Sequence, residues 1–295
     1  MAGETLWGID LGGTKIEGAV VSAEGKPLCR IRVPTEQAGG YEHILGRISS
    51  LVEQMEQTVG SKRPGAIGLS MPGSLSPRTG LVKNANTTCL IGRTLDTDLS
   101  RLLSSRVMVA NDANCFALAE ARLGAGKGAG VLFGVILGTG VGGGLVIGDS
   151  IWPGHHRIAG EWGHNVLDPD GEPCYCGKRG CVETVISGPA TERHYRRLTG
   201  KDKSLKEIAL EEDDAARETI DRLCLMFGRA LSVVVNILDP DVIVVGGGVG
   251  NVKRLYSDGR SALGKAVFND GFDARLVAPE LGDSAGVFGA CMLTR

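Results

Sequence analysis

Three glycine-rich clusters, each attached to a run of apolar, β-branched residues, constrain the fold of this chain most. The 295 residues include 45 glycines, well above the usual share of about 7%, and they concentrate at three points. The clusters are Gly8-Ile-Asp10-Leu11-Gly12-Gly13-Thr14-Lys15, Leu137-Gly138-Thr139-Gly140-Val-Gly142-Gly143-Gly144 and, after Val242-Ile-Val-Val, Gly246-Gly247-Gly248. Glycine lets the backbone turn sharply and lets N–H groups approach phosphate oxygens closely. One cluster alone is as consistent with a hairpin turn, but three, with Asp10 and Thr139 among them, favour binding of nucleotide phosphates.

Two common nucleotide-binding motifs are excluded by what surrounds these glycines. The sequence has no Gly-x-x-x-x-Gly-Lys-Ser/Thr, so it is not a P-loop protein. The segment after Gly140 has the pattern of a second strand, whereas a dinucleotide-binding turn must lead into a helix. Phosphate held by β-hairpins is another way to bind ATP, and it is typical of the actin-like α/β fold.

A second motif combines Cys174, Cys176 and Cys181 with His164, just after Glu161-Trp-Gly. Three thiols and an imidazole form a plausible tetrahedral zinc site, and these ligand types suit zinc better than a hard cation. Four protein ligands leave no open position, so such a zinc ion would be structural. The alternative is a few reduced surface cysteines beside an unrelated histidine. The remaining cysteines are expected to be small buried apolar residues, and they are Cys29, Cys89, Cys115, Cys224 and Cys291.

Composition excludes several classes of protein. The net charge is −2, so no basic surface favours nucleic acid. No apolar run approaches the ~20 residues of a membrane span, and a strand beginning near Leu6 leaves no room for a signal peptide. Eight cysteines without an export signal indicate a reducing compartment, and we expect a cytoplasmic protein.

The pattern of apolar residues predicts two similar halves joined in one chain. Strands are predicted at 6–9, 14–21, 28–33, 66–69, 107–110, 131–137, 143–147 and 242–245, and helices at about 41–58, 113–123 and 215–238. The first two glycine clusters then form hairpins at equivalent places in the two halves. A duplicated fold of this kind predicts a cleft between two lobes, where ligands usually bind. The lobes are predicted as residues 1–115, to which a helix at about 284–295 returns, and residues 116–283, with the zinc segment at 161–183.

Several polar residues are candidates for binding and chemistry. Asp112 follows an apolar strand at the start of a helix, where a carboxylate can accept a proton from a sugar hydroxyl; the alternative is that it only caps the helix. Glu161 and Glu183 flank the zinc ligands and could bind sugar hydroxyls, or could be solvated charges. Asn84 and Asn86 supply amides suited to polyols, or simply form a turn.

The same segments are similar to those of a known family. Over its whole length the chain resembles the ROK family of sugar kinases and repressors. The matching segments are Asp10–Lys15, Asn111-Asp-Ala-Asn114, Leu137–Gly144, Gly160-Glu-Trp-Gly-His164, Cys174–Glu183 and Gly246–Gly248.

The resemblance implies an actin-like fold with two lobes, ATP with Mg²⁺, structural Zn²⁺, and transfer of the γ-phosphoryl to a hexose hydroxyl with Asp112 as the base. It implies that the sugar is bound by Gly73, Asn84, Asn86, Asn111, Asp112, Glu161, His164 and Glu183. It also implies nucleotide contacts from the three glycine clusters, and a homodimer.

The segment Pro72–Asn86 looks most like the fructokinase (mannofructokinase) branch, which implies transfer to the 6-hydroxyl of fructose. An N-acetylglucosamine kinase, a glucokinase or a mannokinase is the alternative. Repressors of the family carry a helix-turn-helix before the Asp-Leu-Gly-Gly motif, and only nine residues precede Asp10 here. A non-catalytic regulator is therefore the less favoured alternative.

Overall fold

The computed structural model describes residues 5–295 as twelve strands and nine α-helices with short 3₁₀ turns. The strands are β1 (Thr5–Leu11), β2 (Lys15–Ser22), β3 (Pro27–Pro34), β4 (Ala66–Met71), β5 (Ser74–Leu75), β6 (Val82–Lys83), β7 (Arg106–Asn111), β8 (Val131–Leu137), β9 (Val141–Ile147), β10 (Ser150–Ile151), β11 (Val242–Gly246) and β12 (Arg275–Val277). The helices are α1 (Gly40–Val59), α2 (Leu95–Leu103), α3 (Asp112–Leu123), α4 (Val182–Ile186), α5 (Gly188–Thr199), α6 (Leu205–Ile208), α7 (Asp214–Leu238), α8 (Asp258–Ala266) and α9 (Ala285–Met292). Within this described range, no helix is both long and apolar enough to cross a membrane.

The chain divides into two compact units. Unit 1 comprises residues up to Gly124 together with Pro153–Ile158 and Leu281–Arg295, and unit 2 comprises Ala125–Trp152 and Ala159–Glu280. The lobe boundary predicted at residue 115 falls inside α3, and the whole of α3 belongs to unit 1. The reason is that α3 packs extensively on α9, which is also part of unit 1.

Unit 1 is built on a five-stranded sheet in the order β3-β2-β1-β4-β7. The apolar residues of α1 repeat at helical spacing and are buried, from Tyr41 to Met55. Helix α9 approaches the sheet so closely that a Cβ at Gly68 would overlap the carbonyl oxygen of Ala290. Glycine in the middle of β4 therefore allows the helix to pack directly on the strand backbone.

Unit 2 is built on a second five-stranded sheet, in the order β10-β9-β8-β11-β12. Strands β8 and β11 are almost fully buried, consistent with their continuous apolar sequences. Helix α7 begins at a cap in which the Asp213 side chain accepts from the N–H of Ala216, and it buries one apolar face from Ala216 to Val235.

The two sheets repeat one topology. In each, an antiparallel hairpin (β1–β2 or β8–β9) is followed in the sheet by parallel strands on the side of its first strand. The two glycine hairpins therefore occupy equivalent places, as the sequence predicts. The elements β5, β6, β10, β12, α2, α4, α5 and α6 were not predicted.

Candidate active site

The first hairpin turn, residues 10–15, is named turn A. Its backbone closes with the N–H of Gly12 donating to the carbonyl of Lys15 at 3.0 Å. Asp10, at the end of β1, lies opposite Ser70 of β4 in the parallel register, and the Ser70 hydroxyl donates to the Asp10 carboxylate at 2.6 Å. Burial raises the pKa of Asp10, and the Ser70 hydrogen bond offsets this only in part. A shielded carboxylate beside a glycine turn suits a hard cation such as Mg²⁺.

Asn111 and Asp112 stand where β7 leads into α3. The side chain of Asn111 is the helix cap, and its oxygen accepts from the N–H of Asn114 at 2.8 Å. Asp112 is exposed, and one of its carboxylate oxygens accepts from the N–H of Ala113 and the side-chain amide of Asn111. The capping role considered for Asp112 is thus filled by its neighbour.

The predicted sugar-facing stretch forms a small hairpin in unit 1. Strands β5 and β6 pair Ser74 with Lys83, and Gly73 lies against the backbone of Ala85 at a left-handed φ of 78°. Asn84 also has a left-handed φ, of 56°, which asparagine tolerates in turns. The side chains of Asn84 and Asn86 are exposed.

The second hairpin turn, residues 137–141, is named turn B. It closes with the N–H of Gly138 donating to the carbonyl of Gly140 at 2.9 Å, and the carbonyl of Gly138 accepts from the N–H of Gly188 at 2.9 Å. A Cβ at Gly247, whose φ is 83°, would overlap the carbonyl oxygen of Leu137. The second and third glycine clusters therefore meet at turn B.

A cavity of about 1290 Å³ opens beside turn B within unit 2. Gly138, Thr139 and Gly248 line it, and so do residues of α5, α6, α7 and the segment after β11. Sequence reasoning missed this second group, which includes Glu192, Leu205, Leu210, Ile220, Lys253 and Arg254. The space is large enough for a nucleotide, and at about 1290 Å³ it exceeds the roughly 300–1,000 Å³ of most ligand pockets.

The other predicted glycines lie inside strands rather than in turns. Gly142, Gly143 and Gly144 pair with β8 in β9, and a Cβ at Gly143 would meet the carbonyl oxygen of Gly160 at 2.7 Å. Gly8 lies in β1, where α9 leaves no room for a side chain. At Gly8 and Gly143, the lack of a side chain therefore allows close packing.

The segment 161–183, named the cysteine loop, brings the four predicted metal ligands together. The ligand atoms of His164, Cys174, Cys176 and Cys181 all lie within 4.8 Å of one another. The sulfurs of Cys176 and Cys181 are 3.6 Å apart, and the Cys174 sulfur is 3.6 Å from Nδ1 of His164. Tetrahedral zinc with Zn–S of about 2.3 Å would place its sulfurs roughly 3.8 Å apart. These residues fit a zinc ion.

Neighbouring contacts support the same geometry. The hydroxyl of Tyr175 lies 3.0 Å from Nε2 of His164, leaving Nδ1 for the thiols, as the outer nitrogen of a metal-binding histidine usually has a partner. Gly177 and Gly180 have left-handed φ values of 90° and 61°, as the predicted tight knuckle requires. Burial and the adjacent thiols raise the pKa of Cys181 to about 12, and a cation among the sulfurs would favour the thiolates instead.

The two glutamates that flank the ligands differ. Glu161 is exposed. Glu183, in the first turn of α4, is partly buried, and its Oε2 accepts from the N–H of Val141 in turn B at 2.9 Å. Glu183 is therefore in contact with the hairpin that borders the cavity.

Comparison with known proteins identifies the family. The sequence model described as "ROK family" matches residues 6–295. The chain is 34% identical over 301 residues to N-acetyl-D-glucosamine kinase of Yersinia pseudotuberculosis serotype O:1b (strain IP 31758), covering 97% of this chain and 98% of that protein.

Two solved structures are also similar. The crystal structure of ROK hexokinase from Thermus thermophilus has a TM-score of 0.87 and 31% identity, covering 98% of this chain and 97% of that one. A ROK glucokinase from Streptomyces griseus, in complex with glucose and AMPPNP, has a TM-score of 0.78 and 29% identity, covering 98% and 99%. The predicted α/β, actin-like fold is confirmed. The chain belongs to the ROK family and is an ATP-dependent sugar kinase.

Proposed function

We propose that this kinase transfers the γ-phosphoryl group of ATP to the 6-hydroxyl of a hexose, with Asp112 as the general base. This role for Asp112 rests on its exposed carboxylate at the start of α3, where Asn111 already caps the helix. In this step the sugar oxygen forms a bond to phosphorus and the bond from phosphorus to the ADP oxygen breaks. The hydroxyl proton moves to the carboxylate of Asp112.

The nucleotide lies, in this proposal, in the cavity of unit 2 beside turn B. The N–H groups of Gly138 and Val141 already donate within the protein, so in turn B those of Thr139 and Gly140 would donate to phosphate oxygens. The cavity beyond Thr139 has room for the nucleoside. Asp10 is the residue of turn A suited to hold magnesium. Magnesium, when bound, neutralises charge on the β- and γ-phosphates.

Zinc in the cysteine loop is proposed as a structural ion. The spacing of the four ligand atoms supports this, and four protein ligands leave no position for a substrate. Zinc, when bound, would fix the loop that carries Glu161 and Glu183.

N-acetylglucosamine is the acceptor that the comparisons favour. The curated relative at 34% identity, which matches nearly full length, bears that activity in its name. Fructose, expected from Pro72–Asn86, stays a second candidate. The observation in its favour is that the β5–β6 hairpin exposes the amides of Asn84 and Asn86, which suit hydroxyl groups better than an acetyl methyl.

The test is a side-by-side kcat/KM panel of N-acetylglucosamine, fructose, mannose and glucose with ATP. We expect N-acetylglucosamine to give the highest value. Fructose giving the highest value would overturn this acceptor in favour of the second candidate, and a panel without turnover would overturn the proposed hexose kinase activity.

The role of Asp112 is tested separately with Asp112→Asn. Loss of a positioned base costs about 10²–10⁴-fold in rate, so kcat should fall by at least about 100-fold while the protein stays folded. Asp96→Asn, also in the first turn of a unit 1 helix, is the matched control and should keep wild-type kcat. Retention of a tenth or more of wild-type kcat by Asp112→Asn would remove Asp112 from this role.

A further inference from the structure

We propose that Thr87 is a positioning residue of turn A, and that its hydroxyl donates a hydrogen bond to the carbonyl of Gly13 when the magnesium-bound nucleotide occupies the site. This inference rests on the proposed function, which assigns the cation to turn A. It adds a residue to which the sequence gives no role.

The first observation is the state of the Thr87 hydroxyl. Thr87 comes after strand β6 and is only 1% exposed. Within the described residues 5–295, its Oγ1 has no hydrogen-bond partner. Thr87 precedes the short 3₁₀ turn Thr88–Leu90, but its side chain does not cap that turn. Because a buried hydroxyl without a partner costs free energy, a partner that forms only in the bound state would explain a threonine here.

The second observation is the place of this hydroxyl beside turn A. A Cβ built on Gly13 would lie 3.8 Å from Oγ1 of Thr87, and it would meet no other atom within 4 Å outside the adjoining residues. Gly13 itself is only partly buried. A small movement of the turn would therefore bring its backbone to the hydroxyl.

The third observation is how the rest of turn A is held. The Thr35 hydroxyl donates to the carbonyl of Gly12 at 2.7 Å, and the Thr35 N–H donates to the carbonyl of Thr14 at 2.9 Å. Gly13 lies between these bonds and takes no part in them. It has no left-handed φ, and a Cβ there would not be crowded. Neither conformation nor packing in the free protein thus requires glycine at this position, and its backbone has room to adjust.

These observations fit a turn that tightens when ligand binds. Asp10, at one end of turn A, already has its carboxylate held by Ser70. A hydrogen bond from Thr87 to the Gly13 carbonyl would fix the part of the turn that is not yet held. The hydroxyl would then gain its partner only in the bound state, and this difference in free energy favours binding.

The experiment measures stability and binding rather than turnover. Thr87→Val replaces the hydroxyl by a methyl group, and Thr87→Ser keeps the hydroxyl. Thr219→Val is the matched control, because Thr219 is also 1% exposed and its hydroxyl already donates to the carbonyl of Ala215. Thermal unfolding without ligand gives the Tm of each protein. Isothermal titration without hexose gives the Kd of a non-hydrolysable ATP analogue, with and without Mg²⁺.

Without ligand, Thr87→Val should raise the Tm by about 2–4 °C, because it removes a buried hydroxyl that has no partner. Thr219→Val should not raise the Tm, since the hydroxyl that it removes is paired. A Tm of Thr87→Val at or below that of the wild type would mean that the Thr87 hydroxyl is already satisfied in the free protein, and would overturn the inference.

With Mg²⁺, Thr87→Val should weaken analogue binding by about 5- to 10-fold, the size of one lost hydrogen bond, whereas without Mg²⁺ its affinity should stay within about twofold of wild type. Thr87→Ser should restore the affinity measured with Mg²⁺ to within about threefold. Thr219→Val should bind as the wild type does in both conditions. Because Thr87→Val is expected to be the more stable protein, damage to the fold would not explain its weaker binding.

Three binding results would also overturn the inference. They are wild-type affinity of Thr87→Val with Mg²⁺, failure of serine to restore the affinity, or an equal loss with and without Mg²⁺, which would separate the effect of Thr87 from the cation at turn A. The inference fails separately from the proposed function: a protein that phosphorylates no hexose lacks that function, yet its analogue affinities still test Thr87.

Discussion

Turn A and turn B lie at equivalent places in two sheets of the same order, but their charge comes from different sources. Turn A contains its own carboxylate and ammonium groups, Asp10 and Lys15. Turn B has no titratable residue between Leu137 and Val141 and receives the carboxylate of Glu183 from α4. The comparison shows that the same hairpin topology suits two different uses. Turn A presents charge suited to a cation, and turn B presents backbone groups held by an outside residue.

The two carboxylates also have opposite consequences for stability. Burial raises the pKa of Asp10. Folding with this carboxylate in its charged form therefore costs free energy. Glu183 gains a hydrogen bond from a backbone N–H, which stabilises the turn it contacts. Asp10, the residue suited to a cation, thus lies in surroundings that disfavour its charged form, as is common at functional sites.

Cys181→Ala tests whether a metal ion supports the cysteine loop. Loss of a metal ligand is among the changes that destabilise a protein most, so the free energy of unfolding should fall by more than about 4 kcal/mol. Chemical denaturation and elemental analysis for zinc check this. Cys224→Ala, another buried cysteine of unit 2, controls for the lost side-chain volume and should keep its zinc. Equal destabilisation by the two variants would contradict a metal-supported loop.

Asp10→Asn tests turn A. Removing a group that stabilises developing charge costs about 10²–10³-fold in kcat, so steady-state kinetics should show a loss of that size. The asparagine side chain can still accept from Ser70, so the fold should persist in circular dichroism. Wild-type kcat in this variant would mean that the carboxylate of turn A has no role in phosphoryl transfer.

Gly140→Ala and Gly138→Ala test whether turn B is held by Glu183. A Cβ at residue 140 would push the Glu183 carboxylate away, whereas a Cβ at residue 138 meets no atom within 4 Å. Thermal unfolding without nucleotide should show a loss of about 1–3 kcal/mol for Gly140→Ala and a much smaller one for Gly138→Ala. A larger loss of stability in Gly138→Ala than in Gly140→Ala would contradict a turn B held by Glu183.

The smallest expected effect is on the pH dependence of stability. Because the pKa of Asp10 is raised on folding, the native state binds more protons than the unfolded chain above about pH 4, and stability falls as pH rises until the folded pKa is passed. Asp10→Asn should therefore be more stable than the wild type at neutral pH, with the difference vanishing below about pH 4. Urea unfolding across this range measures it, and a less stable variant at neutral pH would contradict the burial cost.

The sequence was informative where local patterns determine structure. The apolar run Val131–Leu137 predicted β8 with its observed bounds, and helical spacing predicted α1 and α7 to within a residue or two. The spacing of thiols and imidazole predicted a cluster that the fold does bring together. In these cases the signal lies within one segment of the chain.

Other features depend on contacts between distant segments. Helix α5 has few apolar residues beside Tyr195, and its position on α7 is set by packing, so its place in the cavity wall could not be predicted. The contact of Glu183 with Val141 joins residues 42 apart in sequence. Asn111 and Asp112 are both favoured cap residues, and only the backbone geometry assigns the cap to Asn111. The homodimer and the preferred hexose stay predictions.

The most direct test of the division between the two turns is the Mg²⁺ dependence of ATP-analogue affinity in the wild type, Asp10→Asn and Glu183→Ala. Titration with and without Mg²⁺ gives one affinity ratio for each protein. We predict that Asp10→Asn loses most of the wild-type ratio, whereas Glu183→Ala keeps the ratio but binds more weakly in both conditions. A wild-type ratio in Asp10→Asn, or its loss in Glu183→Ala, would contradict the assignment of cation binding to turn A and backbone binding of phosphate to turn B.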